Sequence, residues 1–310
     1  MMSSGAAGLV LGRLLRIALI MWGVVTVVFM LLRLSGDPIS VVAPPDATAE
    51  MIAALRQTYG FDQPLYVQYA HYLAGVIKGD FGVSFQYGQP AIHIVLQRLG
   101  ATMSLATLSM ALAILLALPL GFLSARYRDR PLDHALMSLA MLGNTMPTFL
   151  VGIVLIMVFA LWLGIAPTGG AGSAAHYVLP VVTISLATAA SLARMTRSEV
   201  LETLGKPFIR TARAKCLPFR RLVMAHVLKN AAIPIVTVAG LQFGALLSGA
   251  IVTETVFGWP GLGTLVLEAI GRRDYSVVQA AVCVTALIFV VLNATIDAVY
   301  QLLDPRIKVV

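Results

Sequence analysis

Charged residues are absent from five long stretches of this chain, and their absence is what most constrains its fold. The stretches are 16, 27, 60, 24 and 22 residues long and cover 17–32, 99–125, 134–193, 230–253 and 275–296. A helix needs about 20 apolar residues to cross the hydrocarbon core of a bilayer. The alternating segments of about 10 residues that form a membrane β-barrel do not appear in the sequence. The sequence therefore predicts an all-α integral membrane protein.

The charge-free stretches predict six transmembrane helices. Four stretches fit one crossing each, and the longest fits two because a glycine-rich turn over 163–175 divides it. No small-residue cleavage site follows the first span, so we expect it to remain as a helix. We predict one domain over residues 1–310. The predicted spans are about 11–32, 100–124, 135–162, 177–195, 232–254 and 277–300.

Lysine and arginine side chains predict the orientation. Sixteen of them lie on the side that holds both termini, and six lie on the other side. Because basic residues are retained in the cytoplasm, both termini are predicted to be cytoplasmic. No basic stretch carries the interleaved aromatic residues of a nucleic-acid-binding module, so no nucleic-acid partner is predicted.

The external loop over 34–98 has its own pattern. Apolar residues recur at helical spacing over 47–59, which predicts short amphipathic helices on the membrane surface. Two roles stay open for them: a structural cap over the bundle, or a docking surface for an external partner.

The cytoplasmic loop over 194–229 contains nine basic and two acidic residues. Pro207 suits the first position of a helix and Pro218 ends one, so a short amphipathic helix is predicted between them. Its predicted apolar face consists of Phe208, Ala212, Cys216 and the adjacent Ile209. Its predicted basic face consists of Arg210, Arg213 and Lys215. A helix tethered to two spans can pass force from a soluble partner into the bundle, whereas a helix resting on lipid headgroups is the alternative.

A few polar or helix-breaking residues within the spans are candidates for lining a translocation path. They are Asn144, Pro147, Gln242, Ser248 and Glu254. Hydrogen bonding between helices is the alternative role, and Glu254 could instead cap the short helix predicted over 264–271. Phe257 and Trp259, in the turn after Glu254, are predicted to lie in the interfacial aromatic belt.

Catalytic and metal-binding patterns do not appear in the sequence. The chain has no Gly-x-x-x-x-Gly-Lys-Ser/Thr phosphate loop, so it is not predicted to hydrolyse ATP. The five histidines have no spacing that places two on one helical turn, and no metal site is predicted. The two cysteines lie at different predicted depths and are not expected to pair.

Four segments occur in an order that is typical of one family. They are Leu34-Ser-Gly-Asp-Pro38, the external runs 59–65 and 79–82, the cytoplasmic run 208–215 followed by Asn230-Ala-Ala-Ile-Pro234, and the last third from Gly249-Ala-Ile-Val-Thr-Glu to Leu303-Asp-Pro-Arg306. Through these segments the chain resembles the dipeptide/oligopeptide permeases of bacterial ABC importers, and specifically the first of their two permease subunits. The resemblance implies a type I ABC importer permease architecture.

The cytoplasmic run resembles the EAA loop of that family, which forms a coupling helix in a cleft of the ATPase subunit. The matching residues here are Phe208, Ile209, Arg210, Thr211, Ala212, Arg213, Ala214, Lys215 and Cys216. Arg210 stands where the motif's glutamate is expected, and Cys216 stands where a glycine is usual. We expect the second departure to lengthen the helix by one residue or to change its packing.

The resemblance implies a function in uptake rather than catalysis. It implies a multi-pass protein of the bacterial inner membrane that imports short peptides. The implied partners are a homologous second permease in a heterodimer, two cytoplasmic ATPase subunits that bind ATP and Mg, a periplasmic or lipid-anchored solute-binding protein, and membrane lipid. Nickel, glutathione and opine-like compounds are alternative substrates in related permeases. A secondary transporter is a weaker alternative, because the chain shows no inverted repeat.

Overall fold

The computed structural model describes residues 3–34, 36, 39, 43, 46–216 and 218–303. Within these residues the fold is helical, and the only β-type pairing is an isolated bridge between Val83 and Pro90. In the described part of the chain, five helices are long and apolar enough to span a membrane, and a sixth span exists if two helices joined by a sharp bend cross together. The prediction of an all-α membrane protein is confirmed.

The helices follow the predicted spans and connecting segments. The first six are α1 (Ser3–Leu34), α2 (Ala49–Thr58), α3 (Leu65–Lys78), α4 (Ala91–Arg126), α5 (Pro131–Thr145) and α6 (Thr148–Leu155). The remaining ones are α7 (Ala175–Gly205), α8 (Pro207–Ala214), α9 (Phe219–Leu222), α10 (Leu228–Gly249), α11 (Ile251–Val256), α12 (Leu262–Gly271) and α13 (Tyr275–Leu303). Two π-helical segments, Ile156–Trp162 and Val223–Val227, follow α6 and precede α10.

The chain forms two compact units. The first unit comprises residues 1–100 and 264–290, and the second comprises residues 101–263 and 291–310. The assignment of one domain to residues 1–310 stays a prediction.

Contacts among α1, the external segment and the start of α13 hold the first unit together. The guanidinium of Arg33 lies 4.5 Å from the ring centre of Phe61 and 5.8 Å from that of Tyr275. The hydroxyl of Ser84 donates a hydrogen bond to the carboxylate of Asp274, just before α13. These contacts fix the external segment to the ends of two long helices.

The external segment contains the short helices that its pattern predicts. Helix α2 lies within the predicted range 47–59, and the hydroxyl of Thr48 caps it by accepting the Met51 N–H at 3.3 Å. Helix α3 ends at Gly79, whose φ of 75° lies in the left-handed region that glycine adopts without strain. The external loop is shorter than the predicted range 34–98, since α4 already begins at Ala91.

Helix α7 is the central element of the second unit, where it packs against α5, α6, α10 and α11. Small residues allow the close contacts that bind membrane helices to one another. A Cβ atom at Gly121 of α4 would lie 2.5 Å from the carbonyl oxygen of Ala193 of α7, so only glycine fits there. Ala113, Ala117 and Ala189 belong to the same buried region of α4 and α7.

The predicted span over 135–162 is divided in the structure. Helices α5 and α6 meet at an angle of 98°. Met146 is extended, with ψ of 130°, because the ring of Pro147 disfavours the helical conformation in the residue before it. The bend is therefore much sharper than the kink that a proline within a continuous span would give.

Candidate functional site

Helix α8, in the predicted cytoplasmic loop, packs one narrow face against the second unit. Ile209 and Ala212 are buried, with exposed fractions of 0% and 6%. They join a cluster of buried side chains from α4, α7, α9, the second π-helical segment and α10: Ala125, Val200, Leu222, Val227, Ala231 and Ile235. The bundle therefore holds α8 through aliphatic contacts with helices that run into the membrane.

The opposite side of α8 is open to solvent. Phe208 is 39% exposed, and the exposed polar or small residues beside it are Arg210, Thr211, Ala214 and Lys215. The side chain of Arg213 lies outside the described residues. The predicted apolar face is therefore confirmed for Ile209 and Ala212. It is wrong for Phe208 and Cys216, which are both exposed, because the three-residue spacing from Ile209 to Ala212 sets the buried face.

Cys216 follows the end of α8 and adopts an unusual backbone conformation. The helix ends at Ala214, so the expectation of a longer helix is wrong. Cys216 has a φ of 51°, which lies in the left-handed region, and its side chain is exposed. The chain thus keeps the turn that a glycine would form there, with a cysteine in its place.

A partly buried ion pair lies close to this surface, and the sequence analysis did not find it. Arg197 of α7 donates to both carboxylate oxygens of Asp133, from Nε at 2.8 Å and from Nη2 at 2.6 Å. The Ser124 hydroxyl and the Asp129 backbone N–H donate to the same carboxylate. Proline followed by an acidic residue two positions later is typical of the first turn of a helix. This pattern in the sequence could have indicated that Asp133 begins a helix. Its partner is 64 residues away, which no local pattern reveals.

Two of the predicted path residues lie at the bend between α5 and α6. Asn144 and Pro147 are both exposed in the described chain. Within the described residues, the Asn144 side chain makes no hydrogen bond. An amide without a partner is costly in lipid, so its exposed position favours a water-filled cavity or a neighbouring polypeptide.

The other predicted path residues lie in different surroundings. Gln242 in α10 is half-buried. The side chain of Ser248 lies outside the described residues. Glu254 is fully buried in α11, and its Oε1 accepts a hydrogen bond from the Thr102 hydroxyl at 2.6 Å. The structure therefore does not join these residues into one cluster, and their role in the path stays a prediction.

The carboxylate of Glu254 sits against the start of α12. The Thr102 hydroxyl, which binds Glu254, also accepts the Leu262 N–H at 2.8 Å. A negative charge is favourable at the first turn of a helix, so this geometry favours the capping alternative for Glu254.

The turn after Glu254 is buried, although its aromatic residues were predicted at the membrane interface. Phe257 and Trp259 are each 1% exposed. The indole N–H of Trp259 donates to the Ala101 carbonyl at 3.1 Å, and its ring meets that of Tyr177 edge-on. The interfacial placement is therefore wrong, because the Trp259 ring packs against α4 and α7. The Phe257 ring lies close to Gly152 of α6 inside the second unit.

The apolar spans, with the short helix α8 between two of them, define a multi-pass membrane protein. Two family models match the chain. The one described as a binding-protein-dependent transport system inner membrane component matches residues 117–309, and the N-terminal model of such membrane components matches residues 8–106. The chain belongs to this family of binding-protein-dependent permeases. It is the permease subunit of a bacterial ABC importer, located in the inner membrane.

Similar proteins agree with this assignment. The glutathione transport system permease protein GsiC of Salmonella choleraesuis is 42% identical over 300 residues, which cover 96% of this chain and 98% of the relative. GsiC of Escherichia coli (strain K12) is 40% identical over the same coverage. Among solved structures, a chain of the inward-facing MetNI methionine ABC transporter matches with a TM-score of 0.58, at 16% identity over 68% of this chain and 96% of that chain. The structural match confirms the type I permease fold.

Proposed function

We propose that this permease imports short peptides and that glutathione, itself a tripeptide, is the first substrate to test. The similarity to glutathione permeases over nearly the whole chain carries the proposal. Asn144 and Gln242 support it, because uncharged amides can bind the backbone groups that all short peptides share. A path of this kind does not need to recognise one side chain.

We further propose that α8 couples the bundle to a cytoplasmic ATPase. Its buried residues Ile209 and Ala212 attach it to five other elements of the second unit. Its exposed side presents one large apolar side chain, Phe208, among basic residues, which suits a cleft of complementary shape and charge. The ATPase pair would bind ATP and Mg, because the phosphate-loop pattern is not found in this sequence. A second permease would complete the path, and a solute-binding protein would deliver the peptide from outside.

Uptake into proteoliposomes tests the substrate. The chain is reconstituted with its second permease, ATPases and solute-binding protein, and labelled glutathione and trialanine are supplied on the binding-protein side. We expect accumulation that requires internal ATP and that excess unlabelled peptide inhibits. Accumulation without ATPase subunits would contradict an ABC importer, and accumulation of nickel but of neither peptide would contradict the substrate assignment.

Two alanine variants test the predicted path. We expect Asn144→Ala and Gln242→Ala to lower peptide uptake without lowering the amount of protein in the membrane. Normal uptake in both variants would remove these residues from the path.

A further variant tests the proposed role of α8. We expect Phe208→Ala to weaken copurification of the ATPase, because it removes the largest exposed apolar group of the helix. Leu132→Ala is the matched control, since Leu132 is 41% exposed compared with 39% for Phe208 and lies at the start of α5. Equal ATPase recovery in the two variants would contradict the role of Phe208.

A further inference from the structure

The Asp133–Arg197 ion pair differs from an ordinary surface pair in burial and in hydrogen bonding. The Asp133 side chain is 2% exposed and that of Arg197 is 26% exposed. Arg197 binds both carboxylate oxygens, at 2.8 and 2.6 Å, in the two-pronged geometry that fixes orientation as well as distance. A backbone N–H and a hydroxyl complete the coordination, so each oxygen accepts two hydrogen bonds. These hydrogen bonds therefore fix the position of the Arg197 guanidinium relative to the Asp133 carboxylate.

The ion pair and its hydrogen-bond donors connect three helices at their cytoplasmic ends. Ser124 lies in the last turn of α4, and Asp133 lies in the first turn of α5. The intervening Asp129, whose φ of 59° belongs to a tight turn, supplies the backbone N–H. Arg197 belongs to α7, which continues to Gly205.

The same ends of α4 and α7 also hold the coupling helix. Ala125 follows Ser124, and Val200 lies about one turn beyond Arg197. Both are buried in the cluster that contains Ile209 and Ala212 of α8. A displacement of α8 therefore acts on α7 within one turn of the arginine.

Beyond the ion pair, α5 runs to the sharp bend at Met146–Pro147. At that end α5 contacts α7 through small and aliphatic groups: a Cβ at Gly143 would lie 3.5 Å from the Ala190 Cβ and from the Leu186 carbonyl oxygen. Such contacts can slide, because no directional bond opposes the motion, whereas the bidentate pair cannot slide without breaking. The cytoplasmic ion pair is therefore the directional connection between the two helices.

We propose that Asp133 and Arg197 are positioning residues that make α5 move together with α7 when the ATPase displaces α8. This inference rests on the proposed coupling function of α8. It assigns to the pair the transfer of motion from the cytoplasmic surface to the bend that carries Asn144.

The reconstituted importer tests this linkage through the ratio of peptide transported to ATP hydrolysed. Arg197→Lys keeps the charge but loses the two-pronged geometry, and Asp133→Asn removes the charge. We expect both variants to hydrolyse ATP while transporting at least about fivefold less glutathione or trialanine per ATP, as for the loss of an ordinary coupling free energy. The charge swap, Asp133→Arg with Arg197→Asp, should restore part of the ratio.

Two exposed groups provide matched controls. Arg194 lies on α7 one turn before Arg197 and is exposed, and Glu202 forms an exposed pair with Lys206 at 3.2 Å. We expect Arg194→Lys and Glu202→Gln to leave the ratio unchanged. If the Asp133→Asn protein is not found in the membrane, the Arg197→Lys and charge-swap variants decide whether the pair links the helices.

The possible results separate the two proposals. A wild-type ratio in Arg197→Lys, or uptake and hydrolysis that fall in parallel with protein amount, would overturn the linkage and leave a purely structural pair. Uptake by the wild-type chain that needs no ATPase would instead contradict the proposed function.

Discussion

At the scale of single residues, Cys216 holds a backbone conformation that its side chain disfavours. Its φ of 51° costs an L-residue about 1 kcal/mol compared with glycine. We expect Cys216→Gly to raise the free energy of unfolding of the purified importer by about that amount. The measurement is the temperature of thermal inactivation, which should rise. Cys216→Ala keeps the Cβ and its strain, so it should give no gain. Equal effects of the two substitutions would contradict the strain.

Gly261 is the residue on which the Glu254 contact depends. A Cβ at this position would lie 2.0 Å from the Glu254 Oε1 atom. We expect Gly261→Ala to lower stability by about 1–3 kcal/mol, because the carboxylate would be forced away from Thr102. Thermal unfolding in detergent measures the change. Gly100→Ala is the control, since a Cβ at Gly100 meets nothing within 4 Å; a similar loss there would contradict the steric argument.

Individual residues also show which contacts a sequence pattern can predict and which it cannot. The apolar spacing in α8 correctly selects Ile209 and Ala212, because helix periodicity is local. It misplaces Phe208, because burial depends on the direction from which α4, α7 and α10 approach the helix. Glu254 presents the same difficulty: its position in the sequence suits a path or a cap, and only the contact with Thr102, 152 residues away, favours the cap.

At the scale of elements, the bend between α5 and α6 is set by packing as well as by proline. Gly152 of α6 lies so close to the end of α11 that a Cβ there would be 3.1 Å from the ring of Phe257, the next residue, while the ion pair holds the start of α5. We expect Pro147→Ala to keep the bend, since a few restored helical hydrogen bonds at about 1 kcal/mol each do not offset the loss of the packing of α5 and α6 against α7.

The distance between two spin labels tests this expectation. Leu139 in α5 and Leu161 in the first π-helical segment are exposed, by 65% and 64%, and can carry labels in a cysteine-free background. The mean distance between the labels should match in Pro147→Ala and in the labelled parent, with a broader distribution in the variant. A markedly longer mean distance would show that proline alone maintains the bend.

The elements themselves could be predicted to different degrees. Charge-free stretches predicted α1, α4, α7, α10 and α13 because spanning length is a property of composition. Thr48 and Gly79 illustrate how caps mark the short external helices. The division of the third span could not be predicted, since a proline within an apolar stretch is equally compatible with a mild kink.

At the scale of the whole molecule, the distribution of basic residues predicts the topology but not the pairings. Arg197 counts among the nine basic residues of the cytoplasmic loop, and that count is enough to orient the chain. Its pairing with Asp133 adds a role that a charge count cannot contain. The orientation can be tested with the two native cysteines, one exposed and one buried.

Cys216 is exposed next to the predicted cytoplasmic helix, and Cys283 is buried in α13. With the termini in the cytoplasm, we expect a membrane-impermeant maleimide to leave intact cells unlabelled and to label Cys216 in inverted vesicles stripped of ATPase. Cys216→Ser should abolish that signal. Ile77, 86% exposed in the external helix α3, gives the reciprocal test, since Ile77→Cys should be labelled in intact cells. Labelling of Cys216 from outside would reverse the topology and exclude α8 from contact with a cytoplasmic ATPase.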